Sequence, residues 1–214
     1  MGSGRTELAR ILFGLDTFDA GEIRLGGQSV QRNSPRRSIS LGIAFITENR
    51  REEGLLMNMQ IAENIALAAL PRFGATPLQF IEQERLASAA TAVAGLLGIK
   101  AGSISQPAKS LSGGNQQKVV LAKWLLLEPA VFLMDEPTRG IDVAAKREIY
   151  SIIDRLAGDG SGVLFISSEI EELLAMCDRI LVMSRGEIVG SFAREAFDKE
   201  RILRAAFREH EVVR

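Results

Sequence analysis

Four short apolar runs constrain the fold of this chain more than any other feature: GIAFIT (42–47), AVFLMD (130–135), GVLFIS (162–167) and RILVMS (179–184). Each is too short for a typical helix, and none alternates with polar residues, which is how strands buried on both faces read. A segment with helical spacing, about Asp142 to Leu156, separates the second run from the third. Strands alternating with helices predict an α/β chain with a mostly parallel sheet flanked by helices. The turn Ser184-Arg185-Gly186 followed by EIVGSF predicts a closing hairpin. Thr6 to Leu15 predicts a short helix with Leu8, Ile11 and Leu12 on one face, and GEIRLGG (21–27) a strand with a glycine-rich exit. ENRREEG after GIAFIT is expected as a charged loop. From Asn58 to about Leu127 the pattern is mostly helical: Leu86, Ala90, Val93 and Leu97 recur at helical spacing, and Gly98 is a stop signal. The expected organisation is one domain, with a helical lobe at about 57–127 inserted in a sheet lobe of 1–56 and 128–192, then a polar helical tail, 193–214.

Composition narrows the function. The chain has 214 residues, 46% hydrophobic and 25% charged, and a net charge of −1, so electrostatics give no case for nucleic acid as a partner. One cysteine, Cys177, forms no internal disulfide and fits a reducing compartment. No apolar signal core opens the sequence, and stretches such as VVLAKWLLL are far too short to span a membrane. The only histidine, His210, lies in the polar tail and is expected to be solvated.

Two motifs carry chemistry. In VFLMDEPT (131–138) an apolar strand delivers Asp135 and Glu136 at its carboxyl end, where open α/β sheets bind ligands. An aspartate there can hold Mg²⁺ directly or through water, and the adjacent glutamate can orient or deprotonate an attacking water. Pro137 ends the strand. In LSGGNQQK (111–118), Ser112 stands at a helix N-cap position, and Gly113 and Gly114 leave backbone N–H groups open to an anion at the positive end of the helix dipole. Each motif alone reads equally well as an ordinary turn.

Taken together, LSGG-x-Q-Q, the strand ending in DEPT and the following G-I-D resemble the ATP-binding cassette ATPases, and the resemblance covers nearly the whole chain. With GSGRTEL, TENRREEGLL, DEPTRGIDVAAK and ISSEIEEL, the chain is similar to the C-terminal cassette of two-cassette ATPases that drive bacterial simple-sugar importers of the ribose, galactose and xylose type. The resemblance implies a P-loop NTPase (RecA-like) sheet, ATP and Mg²⁺ as cofactors, and another ATP-binding cassette as partner. It also implies transmembrane permease subunits, fed by a periplasmic sugar-binding protein, and a peripheral location on the cytoplasmic face of the inner membrane.

Carried over residue by residue, the resemblance gives the signature as Leu111, Ser112, Gly113, Gly114 and Gln116, the Walker B pair as Asp135 and Glu136, and the D-loop aspartate as Asp142. Gly2, Ser3, Gly4, Arg5 and Thr6 become the trailing half of a phosphate loop, with Thr6, Asp135 and Glu48 toward the metal. Three positions depart from the general pattern. Arg5 replaces the phosphate-loop lysine, and a planar fork does not reproduce a point charge in a tight cradle. Glu48 stands where a glutamine is usual and adds negative charge that Arg50 or Arg51 would offset. Ser168 stands at the switch-histidine position and cannot stabilise charge building on a phosphoryl group. The same departures are usual for this half in the resembling subfamily.

The intact signature with a degenerate phosphate loop implies that Ser112, Gly113 and Gly114 complete an active site whose phosphate loop lies in the other cassette. The charged stretch Glu48 to Leu56 is expected beside the permease. The β-rich start, the adenine-stacking aromatic and the central strand leading into the phosphate loop are missing, so apolar faces and ladder groups of the sheet are expected to stand unpaired, as in a shortened fragment. A non-transport cassette acting on nucleic acid or ribosomes, and a regulatory module that binds no nucleotide by itself, remain open. A P-loop kinase or GTPase does not use LSGGNQQ.

Overall fold

A computed structural model describes residues 3–30, 34–74 and 81–207. Its centre is a three-stranded parallel sheet in the order β3-β4-β5, with β3 at Ile43–Ile46, β4 at Val131–Asp135 and β5 at Gly162–Ile166. Ile46 lies opposite Met134, and Asp135 opposite Ile166, so all three carboxyl ends open on one edge. Phe132 and Met134 of β4 are fully buried, as a non-alternating apolar run requires of a central strand.

The helices cover this sheet by their apolar stripes. The first, α1 (Arg5–Phe13), buries Ala9 and Phe13 rather than the expected Leu8, Ile11 and Leu12, which are only partly covered. The reason is aromatic: the Phe13 ring packs 5.4 Å from Phe45 and 5.8 Å edge-on from Trp124, which sets the rotation of the helix. Next come the short strands β1 (Arg24–Leu25) and β2 (Gln28–Ser29) and the helix α2 (Pro35–Ser40), capped by Ser34. GEIRLGG therefore yields only one arm of a two-residue hairpin. ENRREEG is not an open loop, because Arg50–Gly54 forms one widened π turn.

The insert consists of α3 (Ile61–Ala66), a 3₁₀ stretch at Leu67–Phe73, α4 (Gln83–Leu96) and α5 (Gly113–Leu125). In α4 the buried positions are Leu86, Ala90 and Ala94; Leu97 beyond it is buried too, and Gly98 follows at φ +58°. One core runs without a break from Ile61, Ile65 and Ala90 of these helices to Phe132 and Ile149 at the sheet. Between the sheet strands, α6 (Val143–Gly158) buries Ile149, Ile152, Ile153 and Leu156.

RILVMS departs from the expected sheet. It forms β6 (Arg179–Ser184), which follows α7 (Ile170–Met176) and pairs antiparallel with β7 (Glu187–Ala193) in a separate two-stranded sheet. The turn has Arg185 at φ +51° and Gly186 at φ +85°, the sign pattern of a type I′ hairpin. With α8 (Lys199–Phe207) this hairpin closes a second, small core around Ile180, Val182 and Ile202. Between β5 and β6 lies an apolar cavity of about 580 Å³, lined by Val163, Phe165, Leu181 and Met183 among others.

Candidate functional site

The carboxyl ends of the three parallel strands bring most of the sequence-predicted residues together. β3 leads into Thr47 and Glu48, β4 into Asp135 and Glu136, and β5 into Ser167 and Ser168. A cavity of about 260 Å³ there is lined by Thr6, Thr47, Glu48, Glu53 and Asp135 among others. Asp135 is 1% exposed, and its Oδ2 has no hydrogen-bond partner. Burial pushes its carboxyl above the usual range, against the Thr6 hydroxyl bonded to it and the Arg5 charge nearby. Thr47 Oγ1 is likewise buried and unpartnered.

Two orphaned oxygens and a hydroxyl-bonded aspartate are a donor set for a hard, oxygen-seeking cation such as Mg²⁺. Among the described residues, no three acidic, histidine or cysteine side chains are arranged to hold a metal by themselves. The residues that would hold such an ion are therefore Asp135 and Thr6, with Thr47 beside them on the same cavity. Glu48 is differently engaged, since it forms an ion pair with Arg139. Its charge is thus offset not by Arg50 or Arg51, the sequence neighbours, but by a residue that follows β4. Glu53, also on this cavity, was not singled out by sequence; the folded turn at Arg50–Gly54 brings it there.

Glu136 sits at φ +47°, an unusual conformation for a non-glycine residue. Burial raises its carboxyl, while the Ser168 hydroxyl and N–H bonded to it and the Arg5 charge act the other way. Glu136 and Ser168, chosen separately from sequence, are thus in contact. Arg5 donates from Nη1 to the carbonyl of Ser167 at 2.9 Å, so part of its fork is committed to the end of β5. Ser3 accepts from the Gly186 N–H at 3.0 Å, and Gly4 has φ +90° as the residue before α1. Gly2 and His210 lie outside the described residues.

The signature residues form a second group at the start of α5. Ser112 occupies the N-cap position, but its side chain does not cap the helix; its hydroxyl accepts from the Asn115 amide at 3.0 Å. Gln116 is buried and donates to the Leu111 carbonyl at 3.0 Å, so it braces the turn from inside. A Cβ on Gly113 would meet Arg50 Nη2 at 2.8 Å. Arg50 itself donates to the carbonyls of Arg139 and Gly140 at 3.0 and 3.3 Å, holding the loop after β4 against the signature. Asp142 caps α6 through Ala145 N–H at 2.9 Å, and the Cβ position of Gly114 is filled by Ala145. The close packing of α6 on Gly114 is therefore by itself a reason for a glycine there. Sequence spacing had no means of showing either Arg50 or Ala145 in these roles.

One buried carboxylate joins the two groups. Glu172 of α7 is 5% exposed and accepts from Thr138 Oγ1 at 2.7 Å, Lys146 Nζ at 2.9 Å, Tyr150 Oη at 2.5 Å and Ser167 Oγ at 2.6 Å. Burial opposes its charge, but these four donors outweigh it and hold the carboxyl below the usual range.

The ABC transporter family model matches residues 1–139. The chain is 50% identical over 206 residues to a ribose import ATP-binding protein of Rubrobacter xylanophilus, covering 96% of this chain and 39% of that protein. It is 47% identical over 207 residues to a ribose import ATP-binding protein of Bacillus subtilis, covering 96% of this chain and 41% of that protein. It thus spans about two-fifths of the length of these curated relatives. Among solved structures, a nucleotide-free ATP-binding cassette from an ABC transporter superposes with a TM-score of 0.79 at 20% identity, covering 97% of this chain and 85% of that one. A dimeric ATP-binding cassette bound to ADP and phosphate gives 0.75 at 21% identity, covering 91% and 82%.

Proposed function

Because the chain belongs to the ABC transporter family, we propose that it acts as the C-terminal ATP-binding cassette of a two-cassette ATPase that drives uptake of a simple sugar. Relatives named as ribose import ATP-binding proteins support the substrate class. In this reading the helical signature lobe spans about 57–127, and the cassette works on the cytoplasmic face of a membrane by docking on permease subunits. Among the described residues no helix is long and apolar enough to cross a membrane.

The observation that carries the reading is the contrast between the two groups. The signature stands at the head of α5, a 13-residue helix whose first-turn N–H groups and dipole suit a phosphate brought from outside. The chain's own phosphate-loop position is filled by Arg5, partly spent on the Ser167 carbonyl. Ser112, Gly113 and Gly114 then complete the site of the other cassette, while this chain's own site binds Mg-ATP with little turnover. Bound Mg²⁺ would neutralise phosphate charge, and Asp135 and Thr6 would hold it. Glu136 orients water, with Ser168 fixing its carboxylate but supplying no charge. The test is ATPase in the full two-cassette protein: Ser112→Arg should abolish most activity and Arg5→Ala should do less. Equal damage from both would sink the asymmetric picture.

The permease contact would lie by the turn after β3. Leu56 and Met59 are 46% and 37% exposed there, beside the charged turn Arg50–Gly54. Crosslinkers at Asn58 or Glu53 should reach a permease subunit; reaching none would count against this docking face.

A further inference from the structure

Glu172 has no part in the roles assigned so far, yet it is the most heavily bonded side chain near them. Its four donors come from three different elements. Thr138 lies two residues after Glu136, and Ser167 immediately precedes Ser168, so both flank the Glu136–Ser168 pair. Lys146 and Tyr150 come from α6. Lys146 directly follows Ala145, the residue against which Gly114 of the signature packs, and α6 begins at the cap formed by Asp142. Lys146 also pairs with Glu169 at 2.6 Å.

A buried carboxylate with one set of donors is costly unless every partner stays in place. Because three donors converge on Oε1 and one on Oε2, α6 cannot shift without dragging Thr138 or leaving Glu172 short of partners. We infer that Glu172 is a positioning residue that couples this chain's own hydrogen-bonded pair, the Glu136 carboxylate and the Ser168 hydroxyl, to the signature face that α6 supports. Movement of one group is then transmitted to the other through the Glu172 junction and not through the loop after β4 alone. The functional half of this inference rests on the signature acting in trans.

The chain contains a single tyrosine, so the junction has its own optical reporter. Burial and the Glu172 carboxylate push the Tyr150 phenol up to about 12. In this chain, Glu172→Gln should bring the phenolate absorbance transition down toward the ordinary value near 10, leaving only the part of the rise that burial supplies. In the two-cassette ATPase, the same substitution should lower kcat at least about tenfold, with KM for Mg-ATP changed less than about twofold, the signature of lost positioning rather than lost binding. Thr138→Val, which keeps the Lys146 ion pair and the side-chain shape, should lower kcat in the same way and serves if Glu172→Gln does not fold.

An unchanged phenol transition in Glu172→Gln overturns the inference. So does a shifted transition with unchanged kcat, or a folded Thr138→Val enzyme with full activity. Ser112→Arg, run alongside, reports separately on signature action in trans: its harmlessness would remove that reading and with it the functional half of the coupling.

Discussion

Gly114→Ala tests whether the signature glycine is small for the sake of its own domain. An added Cβ would lie closer than 3.0 Å to the Cβ of Ala145, whereas carbon atoms settle at ~3.5–4.0 Å. Neither atom is the end of a flexible chain, so α5 and α6 must separate by on the order of 1 Å. Overpacking of this kind costs about 1–3 kcal/mol, which for a domain of this size lowers Tm by roughly 2–12 °C. Ala145→Gly removes the obstruction at a cost of at most about 1 kcal/mol in helix propensity. With the Cβ gone, the next atom in reach is the Ala145 Cα at 3.8 Å, an ordinary contact. The double variant should therefore lie within about 1 kcal/mol of the parent, giving a coupling energy of about 1–3 kcal/mol. Urea denaturation of the four proteins, compared at equal m, measures it. Gly113→Ala is the comparison: its Cβ presses first on the Arg50 guanidinium, a side-chain end that can withdraw where a backbone-anchored Cβ cannot. Its cost should not exceed that of the two Arg50 hydrogen bonds, about 1–2 kcal/mol, and Ala145→Gly should not relieve it. If Gly114→Ala is neutral within about 0.5 kcal/mol, or the cycle shows no coupling, the packing argument is wrong.

Other outcomes follow from the same coordinates. Lys123 is 8% exposed and donates to the Gly54 carbonyl at 2.8 Å, and burial lowers its ammonium to about 8. The unfolded chain then binds the extra proton between about pH 8 and 10.5, so stability should rise with pH across that window by up to ~3 kcal/mol; Lys123→Met should flatten the slope, read by denaturation at pH 7.5 and 9.5. Arg50→Ala removes two hydrogen bonds to the loop after β4 and should lower stability by about 1–2 kcal/mol, whereas Arg50→Lys should recover less than half, because one ammonium does not span the carbonyls of Arg139 and Gly140. Phe132→Ala, in the fully buried centre of β4, should cost about 3–5 kcal/mol in the same assay.

How much was legible beforehand varied with the range of the interaction. GIAFIT, AVFLMD and GVLFIS read correctly as parallel strands, and burial follows the pattern closely in the first two, whereas the strand in GVLFIS is buried only at Ile166 because its other side borders the apolar cavity. Leu86 and Ala90 were equally legible from helical spacing. RILVMS was misjoined to the sheet because an apolar run does not say which edge it meets. At the site, the residues emerging from strand ends were legible, since strand direction alone brings Asp135, Glu136, Glu48 and Ser168 to one edge. Their partners were not: Arg139 on Glu48, Arg50 beneath Gly113 and Glu172 at the junction make long-range contacts through charged side chains that, in sequence, look like solvated surface.

The small core beneath β6, β7 and α8 has a consequence for how the molecule breathes. Three buried side chains, Ile180, Val182 and Ile202, anchor it, and at about 1.5–3 kcal/mol each they fall well short of the ordering cost of residues 179–207, about 1–2 kcal/mol per residue. This unit should open as a cooperative subglobal event while β4 stays closed. In native-state hydrogen exchange its amides would trade protons well before those of Phe132 and Leu133, which would wait for global unfolding. A protease added under native conditions should accordingly make its first cuts in the last thirty or so residues, leaving a trimmed body that still carries the signature, the carboxylates and the Glu172 junction.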